Sequence, residues 1–422
     1  MNETKNSEHF NFRELPEGWE TKELSECIEL VIDYRGKTPK KLGGDWACSG
    51  FRALSAKNVK QGSIVQEESI RHVDKELYSK WMKDEVQRED LLLTSEGPMG
   101  ESLLWDDDEK IVLSQRLFGV RVDKDILYPR YFHAYVASSI FQQELRKRAT
   151  GTTVQGIRQS ELLRTTVIVP PMNIQKYIGD TCYQFQQQIL LSHRENQTLE
   201  AIGQAVFERW FVDFEFPNEE GKPYKSSGGE MINSELGEMP KNWEVKSVGD
   251  VLELAYGRAL KETVRQAGST PVYGSNGQIG WHNERLVKGP GIIVGRKGNP
   301  GTVLWSETDF FPIDTTFHVV PKDTAKSLYY LFYVLKNQGL ALLSADSAVP
   351  GLNRNVVYMN PILVPTPTTL SQFDGIIQGL FYKVQNNNEQ TAILSQIRDL
   401  LLPKLMSGKI RIPIPKENVE AS

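Results

Sequence analysis

Two stretches of this chain carry apolar residues at helical spacing for more than 30 residues each. The first runs through Ile178, Cys182, Phe185, Ile189, Leu199, Val206 and Trp210. The second runs through Phe373, Ile377, Leu380, Val384, Leu394, Leu401 and Leu405. The steps of four and three keep one heptad phase across a polar middle, Ser192 and Asn196 in one stretch and Asn387 and Thr391 in the other. A helix that only packs on its own globular domain needs a few turns. A phase held this long predicts a coiled-coil seam.

The two stretches belong to a larger repetition. "LPEGWETKELSE" (15–26) matches "MPKNWEVKSVGD" (239–250), and "VQGIRQSELLRTTVIVP" (154–170) matches "VPGLNRNVVYMNPILVP" (349–365). An apolar helical segment precedes each Val-x-Gly loop, at 129–149 and 327–345. Pro129 suits a first helical turn, and Ser327 suits an N-cap. The copies differ in length: 135 residues separate Trp19 from Val154, against 106 between Trp243 and Val349. Four features in the same order point to a duplicated unit. The segment 214–238, rich in Gly, Ser, Glu and Pro and without periodicity, reads as an exposed linker. The predicted organisation is a globular unit at 1–172, a helix at 173–213, the linker, a second globular unit at 239–366, a helix at 367–410 and a tail at 411–422.

At 422 residues, 39% hydrophobic and 24% charged, the chain can bury cores and is not disordered. No run reaches the roughly 18 apolar residues of a membrane span. The N-terminus lacks a basic and then apolar leader, and the three cysteines read as reduced thiols. A cytoplasmic protein is expected. The formal charge of −5 excludes a uniformly basic nucleic-acid binder but not a local groove. Residues 239–365 hold 13 Lys/Arg against 10 Asp/Glu, net +3, so the second unit is the more basic.

No catalytic arrangement emerges. "RGKT" (35–38) lacks the first glycine of a phosphate loop, Val31 standing in its place. The six histidines are scattered without metal spacing. "DDDE" (106–109) reads as a solvated turn, and "NPI" (360–362) lacks the aromatic of a methyltransferase loop. No metal or cofactor is expected on this chain. Candidates for holding a duplex lie in the loops that the repeat equates, 145–160 and 344–357, and in further basic or glycine-rich segments of each unit. In the first unit they are Lys37, Lys40, Lys41, Arg52, Lys57 and Lys60, then Arg146, Lys147, Arg148, Thr152, Thr153, Gln155 and Arg158. In the second they are Tyr273, Ser275, Asn276, Arg296, Lys297, Asn353 and Arg354. Lys, Arg and hydroxyls take phosphates, while Arg, Gln and Asn can reach base edges. The basic run 146–148 would also suit a helix C-terminus for its dipole alone.

The two openings, "GTTVQGIRQSELLRTTVIVPP", "NQTLEAIGQAVFERWFVDF", "YGSNGQIGW" with "GRKGNPG", and the closing "LLPKLMSGKI" together resemble the specificity subunit (HsdS type) of type I restriction–modification systems. The resemblance covers nearly the whole chain. It implies an α+β protein: two globular α/β target-recognition domains separated by two long antiparallel helices forming a coiled coil, with a pseudo-two-fold internal repeat. Each domain would read one half of a bipartite site in double-stranded DNA. The helices would set the spacer and recruit methyltransferase subunits, and through the complex a restriction/translocase subunit. S-adenosylmethionine, ATP and magnesium would belong to those partners. Two other readings remain open on the residues alone, a non-DNA coiled-coil scaffold and a single-chain modification enzyme.

The polar breaks narrow the helix pairing: parallel and antiparallel pairing can each level them, and only the antiparallel one keeps two recognition domains from standing at the same end. A buried polar residue is tolerable opposite another polar residue and costly opposite an apolar one. Antiparallel pairing that sets Asn196 level with Asn387 and Ser192 with Thr391 meets this condition. It also brings Cys182 to Leu401, Ile189 to Leu394, Leu199 to Val384, Val206 to Ile377 and Trp210 to Phe373. From Ile178 to Trp210 such a helix extends roughly 50 Å at about 1.5 Å per residue, more than one DNA turn of roughly 34–36 Å.

Overall fold

The computed structural model describes residues 15–151, 154–343 and 351–410. The expectations for Thr152, Thr153 and the 411–422 tail lie outside the described residues. The described chain divides into two compact units, one of residues 15–193 with 389–410 and one of residues 194–388. The division runs through both long helices, so each unit holds one globular part and a piece of each helix.

In the first unit, β1 (Ile28–Asp33), β2 (Leu91–Thr94), β3 (Ser102–Leu104) and β4 (Leu117–Val122) form an antiparallel sheet in the order β1-β4-β2-β3. Alternation along a strand sends successive side chains to opposite faces, and both faces of this sheet are covered. Leu91, Leu93, Phe118 and Val120 enter a core with the helix Pro129–Ala137. Leu92, Leu117 and Ile32 enter a second core with the helix Lys75–Trp81. That is why these strands read as near-continuous apolar runs.

In the second unit, β5 (Leu252–Tyr256), β6 (Gly291–Gly295), β7 (Val303–Ser306) and β8 (Thr316–Pro321) repeat the same order, β5-β8-β6-β7. Each unit also has a small sheet whose central strand pairs antiparallel on one side and parallel on the other: Phe51–Leu54 in the first, Thr270–Gly274 in the second. In each, the strand after the opening Trp pairs antiparallel with the strand ending in the closing Val-Pro: Glu20–Glu23 with Thr166–Val169, and Glu244–Ser247 with Pro361–Val364. The first copy is longer chiefly between the small sheet's central strand and β2, where it carries the hairpin Val59–Lys60/Ser63–Ile64 and the helix Lys75–Trp81; the second has only the strand Gly277–His282 in the corresponding stretch.

The long helices are α1 (Met172–Phe211) and α2 (Pro367–Met406), 40 residues each. Within the second unit the Trp210 and Phe373 rings lie 5.9 Å apart, a Cβ on Gly203 would meet Leu380 at 3.7 Å, and Asn387 Nδ2 donates to Asn196 Oδ1 at 2.9 Å. Residue numbers fall along α1 as they rise along α2, so the pairing is antiparallel in the register that the polar breaks predicted. Asn196 Nδ2 also donates to Asn388 Oδ1, and Asn387 Nδ2 to Glu195 Oε2, completing a polar layer. Within the first unit, Arg398 donates to Gln186 Oε1, in a register one residue from the same alignment, and Ile178 and Cys182 share a core with Leu402, Leu405 and Met406.

Two expectations need correction. The seam is wider than one heptad stripe. Phe185, Leu199, Val206, Leu380, Val384, Leu394 and Leu401 are only partly buried, whereas Phe207, Phe211, Leu402 and Met406 are buried. Near the helix ends each helix faces its globular part as well as its partner, which rotates and broadens the buried face. The segment 214–238 is not an exposed linker throughout. Phe214 and Phe216 are buried against Trp243, Phe216 stacks on Tyr224 at 4.6 Å, and Met231–Ser234 pairs with Gly237–Pro240. Two aromatics suffice to anchor a segment whose composition is otherwise that of a loop.

Candidate nucleic-acid interface

The Val-x-Gly loops occupy equivalent places. In the first unit Glu96 bridges Gly156, and Ile157 N donates to Ser95 O at 2.9 Å. In the second Lys297 bridges Gly351, and Leu352 N donates to Arg296 O at 2.8 Å. Each loop is thus stitched by main-chain bonds to the residues just past β2 or β6.

In the first unit three of the candidate cations, Arg52, Lys147 and Arg148, are neutralised by carboxylates. Arg52 pairs with Glu109 at 3.0 Å and Glu67 at 3.8 Å. Lys147 pairs with Glu144 at 2.8 Å, and Arg148 lies between Glu144 and Glu161 at 3.9 and 3.7 Å. Lys41 donates to Gly36 O. Lys37 donates to Trp81 O and lies over the Tyr34 ring at 3.9 Å, and its burial lowers the ammonium pKa. Arg35 is bound to Asp33 and stacked on Phe118, so "RGKT" is a packed turn. Lys40, Lys57, Lys60, Arg146, Gln155 and Arg158 are exposed. The acidic run is engaged as well: Arg88 holds Asp106 and Asp108, and Tyr183 donates to Asp106. Among the described residues no three His, Cys, Asp or Glu side chains gather as metal ligands.

A cleft of about 340 Å³ brings Lys37 and Lys57 together with residues that the sequence did not single out: Trp46, Arg71, Gln115 and Arg116. Arg71 lies over Trp46 at 5.1 Å, and Arg116 pairs with Glu96 at 2.7 Å. The cleft is assembled from the first copy's extra segment and distant strands, so no local pattern announces it.

In the second unit Arg296 and Arg354 both lie over the ring of half-exposed Tyr256, at 4.9 and 4.7 Å. Tyr256 was not foreseen; a lone aromatic at a strand end carries no pattern. Lys297 and Asn276 are exposed, and Tyr273 is half-buried. Asn353 caps the short helix that follows by accepting from Asn355 N. Ser275 is buried and accepts from Asn299 N at 3.4 Å, which fits it to hold its loop.

The chain has relatives among known proteins. A family model described as the type I restriction modification DNA specificity domain matches residues 16–201 and again 240–369. The specificity subunit of the type I restriction enzyme MjaIX from Methanocaldococcus jannaschii is 23% identical, over 94% of this chain and 95% of its own. That of HindI from Haemophilus influenzae is 21% identical, over 78% of this chain and 88% of its own. The type I restriction–modification S subunit from M. genitalium is alike in fold, with a TM-score of 0.59 and 17% identity over 92% of this chain and 96% of that one.

Proposed function

The chain belongs to the family of type I restriction–modification DNA specificity domains, and on that premise we propose that it is the sequence-reading subunit of such a complex. Each unit reads one half of a bipartite site in duplex DNA. The paired helices set the spacing of the half-sites and offer the surface that recruits methyltransferase subunits, through which a restriction subunit joins. Methyl transfer, nucleotide hydrolysis and cleavage belong to those partners, together with S-adenosylmethionine, ATP and magnesium.

The observation that carries this reading is one frame built twice in a single chain, with the same strand order and the same loop stitching but different side chains at the loop. A monomer of this kind does for an asymmetric two-part site what a symmetric dimer does for a palindrome. Sequencing methylated genomic DNA from cells expressing this chain with a type I modification subunit should reveal one bipartite motif. Methyl transfer by the purified chain alone would overturn the assignment.

A further inference from the structure

The strand registers align the two units residue by residue at the loop. Phe118 faces Asp33 across β4 and β1, and Phe317 faces Tyr256 across β8 and β5, so Tyr256 takes the place of Asp33. Thr94 lies opposite Leu117 as Gly295 lies opposite Thr316, so Arg296 and Lys297 take the places of Ser95 and Glu96. The bridges from Glu96 to Gly156 and from Lys297 to Gly351 confirm that alignment independently.

The chemistry at these matched positions is inverted. In the first unit Asp33 neutralises Arg35 at 2.8 Å, and Glu96 neutralises Arg116 at 2.7 Å. In the second unit an aromatic and two cations stand there instead, and Arg354 joins them. Arg296 spends one N–H on Asp314 O and Arg354 one on Leu254 O; neither has a carboxylate partner among the described residues. Two guanidinium groups over one ring repel each other, and stacking on Tyr256 holds them in place without cancelling their charge. Such an arrangement presents fixed, unspent N–H donors to an anion.

Resting on the reading that this chain binds duplex DNA, we propose that Tyr256, Arg296 and Arg354 form a backbone clamp of the second unit, in which each pre-set guanidinium takes one phosphate. The second unit's grip is salt-dependent through this clamp, because each phosphate neutralised releases condensed counterions.

The test is the salt dependence of binding of a random-sequence duplex to the full chain, followed by fluorescence anisotropy between about 50 and 200 mM salt. Each neutralised phosphate contributes about 0.9 to the slope of log affinity against log salt. The double variant R296Q/R354Q should flatten the slope by about 1.8, so that the affinity lost over this range shrinks about twelve-fold. Lys326→Gln, at a cation of the same unit already paired with Asp323, should leave the slope unchanged. The double variant R296K/R354K keeps both charges but loses the stacked fork; it should keep the slope and bind several-fold more weakly, and it serves where the glutamine variant fails to fold. Steep wild-type binding with an unaltered slope in R296Q/R354Q, or undiminished affinity in R296K/R354K, would overturn the clamp and leave the DNA reading intact. Absence of salt-dependent binding by the wild type would overturn the DNA reading itself.

Discussion

Replacing Asn196 and Asn387 by leucine, singly and together, tests whether the polar layer fixes the helix register. Asn387 is 1% exposed and Asn196 8%, and their amides are joined at 2.9 Å. In Asn387→Leu the buried Asn196 Oδ1 loses its donor, a penalty of about 1–3 kcal/mol for an orphaned buried acceptor. In Asn196→Leu the penalty is smaller, because Asn387 Nδ2 still reaches Glu195 Oε2 at 2.9 Å. The double variant orphans neither group. Any gain from burying leucine is common to both arms of the cycle, so the coupling isolates the orphan cost. We expect the double variant to be more stable than the sum of the singles by about 1–3 kcal/mol. Urea titration followed by tryptophan fluorescence, with Trp210 and Trp243 reporting on this unit, should resolve it. At a slope of about 2 kcal/mol per molar urea the midpoints would differ from additivity by about 0.5–1.5 M. Additive midpoints, or Asn387→Leu as stable as the double variant, would refute the role given to the pair.

Three further outcomes are expected. Exchanging residues 239–366 for another recognition unit should change one half of the methylated motif, and sequencing that found both halves altered would show the units are not independent readers. A one-turn insertion of four residues in each helix, after His193 and after Asn388, should alter the spacer in that motif and leave both half-site sequences unchanged. Burial holds the His133 imidazole down at about 4 against an ordinary 6.5. The unfolded chain therefore takes up this proton first, and stability present above about pH 6.5 is lost on acidifying towards 4. Melting temperatures should fall less steeply across that window in His133→Asn than in the wild type, and parallel curves would contradict this.

How much was legible in the sequence depended on the range of the interaction that fixes each feature. Helix phase and polar breaks are local and periodic, so α1, α2 and the level of Asn196 with Asn387 could be read directly. The opening Trp and closing Val-Pro marked where each unit begins and ends, because a duplicated unit repeats its own boundaries; that the strands beside them pair came only from the structure. Charge compensation was not legible: Arg52 meets Glu109, 57 residues away, and no linear pattern distinguishes it from the exposed Lys57. The segment 214–238 misled for a related reason. Its turn-rich composition is genuine, but Phe214 and Phe216 find Trp243 only after the chain has folded back.

The frame's own bonding explains why the two units could diverge so far at the loop. Ser95 and Arg296 both contribute their main-chain carbonyls to the stitch, through Ile157 N and Leu352 N, and their side chains take no part in it. The strands beneath pair through their backbones, and the loops lock onto them by burying Ile157 and Leu352 in the same cores, while Ser95, Glu96, Arg296 and Lys297 add no side chain to those cores. The difference between Ser-Glu and Arg-Lys at this point therefore removes no frame hydrogen bond, although it is not confined to the surface: Ser95 is buried in the first unit, whereas Arg296 is partly exposed in the second. The positions best able to vary are thus those that flank the loop, where side chains meet whatever the unit binds. A reader whose chemistry is decoupled from its scaffold can be re-aimed by substitution at Tyr256, Arg296 and Lys297 while the strand registers, and with them the placement of those side chains, stay as they are.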